Sequence, residues 1–121
     1  TRINDYYNQL IYGNGYDHNY ILNGNYSNNE EPLSIPAATL TSPKEDITLN
    51  IYTSAPCIQL YTGNYISSHD IGKGNHPYSP RSGVAIETQY APNSINVDDF
   101  VKPILKKGTF DNSYTIYEFL I

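Results

Sequence analysis

Tryptophan and methionine are missing from these 121 residues, cysteine occurs once, and charged side chains make up only 16% of the chain. Each shortage excludes something. The lone Cys57 cannot close an internal disulfide, and its setting, APCIQLY, has no Cys or His nearby at metal-ligand spacing. A small buried thiol is the reading that remains. The seven cations (Arg2, Lys44, Lys73, Arg81, Lys102, Lys106, Lys107) are scattered through a chain of net charge -5. Nucleic-acid binding needs a basic stripe, and none is present. No apolar run approaches membrane-spanning length, and the opening TRINDYYNQL has no basic head followed by an apolar core. No membrane partner is therefore expected. The absent initiator Met points to a piece of something longer. What the chain has in quantity is tyrosine, 13 of them, with Asn, Ser and Thr to solvate the surface. That composition favours strands over helices.

Hydrophobic periodicity agrees. Residues 47–53, ITLNIYT, alternate Ile47, Leu49 and Ile51 against Thr48, Asn50 and Tyr52, the period of a half-buried strand. AATLT precedes them across SPKED, whose Pro and Asp suit a tight turn, so residues 37–53 read as a hairpin. Further strands are expected at 18–23, 57–62, 83–90 and 114–121, and no segment reads as a helix. The polar stretches NGNYSNNEEP and SSHDIGKGNHPYSPRS are too long for hairpin turns, and long loops on a sheet scaffold often carry function. One domain, all-β, an antiparallel β-sandwich or part of one, is the resulting fold class.

Side-chain alternation sorts the polar residues by face. In GVAIETQY, Val84, Ile86 and Thr88 share one face while Ala85, Glu87 and Gln89 share the other. Spacing alone makes Glu87 a solvent-facing strand carboxylate; the sharper alternative is a general base held on rigid backbone. Cys57, Gln59 and Tyr61 share a face that either lines a site for hydroxyl groups or meets water. Asp17, just past Gly15 in GNGYDHNYIL, suits a turn cap that bonds backbone amides.

GYDHNYIL, APCIQLYTGNYI, GKGN leading to SGVAIETQYAPNSIN, and PILKKGTFDNSYTIYEF occur in that order over residues 15–119. In order and spacing they resemble the C-terminal part of the aldose 1-epimerases, or galactose mutarotases. The resemblance implies a large antiparallel β-sandwich (the galactose mutarotase-like supersandwich) with a sugar site in an open cleft, residues 1–121 being the C-terminal portion of a single domain. Glu87, in IETQ, matches the family's general base on the anomeric hydroxyl. Asp17, in GYDHN, matches an aspartate that binds sugar hydroxyls, and Gln59, in IQLYTGN, matches a glutamine of the substrate pocket. The turn SPKEDITL departs from the glycine and arginine that many members carry there, which bears on turn geometry alone.

The family also uses a histidine to protonate the ring oxygen, assisted by a second histidine and an arginine, all in an N-terminal part that this sequence does not contain. None of its own histidines substitutes. His18 follows Asp17 directly, so in a strand its ring points to the opposite face, where packing or hydrogen bonding is the expected role. His69 and His76 read as loop residues without a third metal ligand at suitable spacing. The expected activity is interconversion of the α and β anomers of a hexose such as galactose or glucose, without cofactor or metal. The expected partners are the sugar and the N-terminal part of the fold, and the expected location is the cytoplasm. The alternatives are a carbohydrate-binding β-module without catalysis and a truncated inactive fragment.

Overall fold

The computed structural model describes residues 7–23 and 35–121. In chain order the elements are helix α1 (Asn8–Gly13) and strands β1 (Asp17–Ile21), β2 (Ala38–Thr41), β3 (Thr48–Thr53), β4 (Cys57–Tyr61), β5 (Ala85–Gln89) and β6 (Thr115–Leu120). Single 3-10 turns lie at Lys73–Asn75 and Ser94–Asn96. The strands form two sheets, ordered β1-β4-β5 and β2-β3-β6. Every strand expected from alternation is present, shifted by a residue or two at its ends. Most of the loop NGNYSNNEEP, from residue 24 onward, lies outside the described residues.

The helix corrects the sequence reading. NQLIYG is under two turns long, has no side-chain cap at its start and no acidic residue in its first turn, so neither periodicity nor cap chemistry announces it. It is held instead by burial of Leu10 and by a closing motif. Asn14 adopts the left-handed conformation, its N–H donates to Ile11 O (3.3 Å), and the Gly15 N–H donates to Leu10 O (2.8 Å).

The chain divides into two compact units, Thr1–Tyr20 with Gln59–Glu87, and Ile21–Ile58 with Thr88–Ile121. The second contains the whole β2-β3-β6 sheet. Its strands are antiparallel, with Ala38 opposite Ile51, Leu40 opposite Leu49, Leu49 opposite Phe119 and Ile51 opposite Tyr117. Directly opposed residues share a face, so one face gathers Ala38, Leu40, Leu49, Ile51, Thr53, Thr115, Tyr117 and Phe119. Ile51 and Thr53, in the central strand, are fully buried. Burying a threonine is tolerable here because its hydroxyl is bonded: it accepts from the Ala55 N–H (3.0 Å) and lies 3.3 Å from Thr115 Oγ1, which in turn meets Thr88 Oγ1 at 2.7 Å. The turn before β3 uses Pro43 as expected. Ser42 O accepts from Glu45 N–H (2.9 Å), Glu45 takes a left-handed φ of 58°, and Ser42 Oγ donates to Asp46 Oδ1 (2.6 Å).

Candidate functional site

The first unit positions Asp17 through the segment between α1 and β1. Asn64, buried at the end of the β4 segment, reaches across it: its Nδ2 donates to Gly13 O (3.0 Å) and Tyr16 O (2.9 Å), while its Oδ1 accepts from Thr62 Oγ1 (2.7 Å). Tyr16 N–H donates to the same Thr62 hydroxyl (3.1 Å), and Thr62 N–H donates to Tyr16 O (3.0 Å). Arg81 adds a bond from Nη2 to Asn14 O (3.2 Å). Backbone on both sides of Gly15 is thereby fixed just before Asp17 begins its strand.

The register of β1 against β4 follows from bonds at the two ends. Thr62 N–H donates to Tyr16 O, and Leu22 N–H donates to Pro56 O (3.0 Å). One number falls as the other rises, so the strands are antiparallel. Both bonds fit a single register with no bulge, in which Asp17 faces Tyr61 and Asn19 faces Gln59. Gln59 Nε2 donates to Asp17 Oδ1 at 2.7 Å, joining residues 42 apart in sequence. A carboxylate and a primary amide therefore lie side by side on one face. They leave carboxylate lone pairs and an amide N–H for hydroxyl groups.

Asp17 is not the turn cap that its position after Gly15 suggested. Among the described residues no backbone amide donates to its carboxylate, and Asn64 does the capping instead. His18 points to the other face as expected: its Nδ1 accepts from the Asp17 N–H (2.9 Å), and its ring lies edge-on to Tyr16 with centroids 5.8 Å apart. The Nδ1 lone pair is thereby engaged within the chain. His69 and His76 are exposed in the loop.

Glu87 occupies the middle of β5, on the side of β4 away from β1. It is exposed and makes no hydrogen bond or ion pair among the described residues. Its neighbour Thr88 turns the opposite way, toward Thr115, so the carboxylate projects from the other surface of its strand. The structure thus joins Asp17 and Gln59 by a direct bond and leaves Glu87 unengaged. Cys57 is buried as expected, and burial pushes its thiol above the usual range, keeping it protonated. Sequence reasoning missed Asn64, just past the end of the strand expected at 57–62, and Asn19, although its spacing of two from Asp17 signals a shared face. No helix among the described residues is long and apolar enough to cross a membrane.

A sequence model of the aldose 1-epimerase family matches residues 1–118. The chain belongs to the aldose 1-epimerase family. It is 32% identical over 108 residues to the aldose 1-epimerase of Escherichia coli (88% of this chain, 30% of that protein). To the galactose mutarotase of Sus scrofa it is 33% identical over 113 residues (93% of this chain, 31% of that protein). The crystal structure of a GalM/aldose epimerase homologue from C. elegans superposes with a TM-score of 0.66 at 25% identity, over 86% of this chain and 29% of that one. The all-β architecture is thus that of this aldose epimerase fold. The chain spans about 30% of the length of the curated relatives it matches.

Proposed function

We propose that residues 1–121 form the C-terminal portion of one aldose 1-epimerase domain and carry the base and part of the sugar-binding surface of its site. The reaction is interconversion of the α and β anomers of a hexose such as galactose or glucose, in the cytoplasm and without cofactor. Glu87 accepts the proton of the anomeric O1–H. The C1–O5 bond breaks with its electron pair going to the ring oxygen, which takes a proton from an acid supplied by the N-terminal part of the family fold. The open aldehyde rotates and the steps reverse on its other face. Asp17, braced by Gln59, accepts hydrogen bonds from sugar hydroxyls and holds the ring against the base. The observation that carries this reading is the 2.7 Å bond between Gln59 and Asp17, in a chain of this family.

Two substitutions in a family-length polypeptide carrying this sequence separate the roles. Glu87→Gln keeps size and hydrogen bonding but removes the basic lone pair, so kcat should fall by about 10²–10⁴-fold with KM and the thermal melt nearly unchanged. Asp17→Asn weakens contacts made in ground and transition states alike, so its main effect should be a raised KM. Polarimetry on freshly dissolved α-galactose reads both; a Glu87→Gln variant with near-normal kcat would return Glu87 to an ordinary strand carboxylate. A polypeptide that binds galactose without accelerating mutarotation would instead support the carbohydrate-binding module.

A further inference from the structure

Two buried polar atoms among the described residues have no hydrogen-bond partner, and both lie beside the Asp17–Gln59 pair: the side-chain nitrogen Nδ2 of Asn19 and the side-chain oxygen Oε1 of Gln59. One is a donor and the other an acceptor. The register that follows from the bonds of Tyr16 to Thr62 and of Leu22 to Pro56 puts Asn19 directly across from Gln59, in a pair without mutual backbone bonds. Such pairs bring their side chains closest, with Cα atoms about 4.5 Å apart. An orphaned buried polar atom bears the full desolvation penalty of that group, and the terminal torsions of Asn and Gln are broad enough to relieve it.

We propose that Asn19 is a positioning residue of the sugar site: its amide N–H closes onto Gln59 Oε1 and fixes the Gln59 amide with Nε2 toward Asp17. The two ends of that amide are nearly identical in shape, so nothing but hydrogen bonding decides which faces the carboxylate. Turned over, Oε1 would face Asp17 Oδ1 and repel it. With Asn19 donating from one side and Asp17 accepting on the other, a single orientation satisfies all three side chains. The carboxylate then presents its second oxygen to a sugar hydroxyl at a fixed angle. This inference rests on the reading of Asp17 as a sugar-binding group.

The test uses the family-length polypeptide and polarimetry with galactose. Asn19→Leu removes the donor at similar volume; Asn19→Asp keeps the shape and sets an acceptor against Gln59 Oε1. Each should raise KM about tenfold, the loss of roughly one hydrogen bond, with kcat changed much less. In a Gln59→Leu background, Asn19→Leu should add almost nothing, because the amide it orients is gone. An unchanged KM in either folded variant, or additive effects in the double variant, would overturn the proposal. If both variants fail to fold, hydrogen exchange on the unsubstituted protein decides: Asn19 side-chain amide protons that exchange at the solvent rate would overturn it, and protected ones support it. Asp17→Asn is the control. A raised KM there with none in the Asn19 variants defeats this inference alone, whereas no change in either defeats the reading of Asp17 on which it rests.

Discussion

Asn64 bonds through both ends of its amide, to Gly13 O, Tyr16 O and Thr62 Oγ1, and only 3% of it is exposed. Replacing it with Ala removes a bond from each of Gly13 O, Tyr16 O and the Thr62 hydroxyl, of which Tyr16 O and the hydroxyl keep the bonds they make to each other's residues. The expected destabilisation is about 1–3 kcal/mol, read as a lower urea midpoint at unchanged slope. Gly15 faces the same amide: at its φ of 132° a Cβ would stand 2.2 Å from Asn64 Oδ1. Both strain and collision oppose Gly15→Ala, which should cost at least as much as Asn64→Ala and should raise KM by displacing the start of β1. Equal midpoints for Asn64→Ala and the unsubstituted protein would show the clamp to be idle. Asp17, Gln59 and Glu87 were legible as candidates because their residue types sit in motifs. The bond between Asp17 and Gln59 was not, because motif order carries no distance.

Among the elements, β3 and β6 carry a second polar cluster. Asn50 Nδ2 (3.1 Å) and Tyr52 OH (2.9 Å) both donate to Glu118 Oε2, and Thr39 Oγ1 donates to Asn50 Oδ1 (2.8 Å). These bonds, Asn50's first, hold the Glu118 carboxyl below the usual carboxylate range, while the bond to Glu118 pushes the Tyr52 phenol up. A depressed folded pKa contributes stability that is present above the unfolded value and is lost as pH falls through the folded one. A raised phenol contributes stability that is present below its unfolded value and is lost as pH rises through the folded one. Thermal midpoints should therefore decline slightly at both extremes, below the carboxylate range and above the phenol range. Glu118→Gln should flatten both declines, and a pH profile unaltered by that substitution would show that the cluster adds nothing measurable. The effect is small because the groups are open to solvent. The strands themselves were legible from alternation, which is local. Helix α1 was not, since its six residues are specified by the buried Leu10 and by the turn at Asn14 and Gly15.

At the scale of the whole molecule, apolar side chains remain uncovered. Phe119 is 64% exposed and Phe110 96%, and Tyr117, Ile116 and Leu120 on β6 are each about half exposed. Exposed apolar side chains promote association, and among the described residues β6 is an end strand of its sheet. The 121-residue chain by itself should self-associate with rising concentration in sedimentation runs and bind a hydrophobic dye. A monodisperse monomer with a sharp, cooperative melt would show that these surfaces do not need covering. The sequence by itself determined the all-β class, the strand positions and the family, because alternation, turn chemistry and ordered motifs are properties of neighbours along the chain. Only the tertiary structure decided which polar side chains meet. In a chain rich in Asn, Gln, Ser and Thr many pairings are chemically equivalent, and strand register alone brings Gln59 to Asp17 across 42 residues and sets Asn19 opposite it.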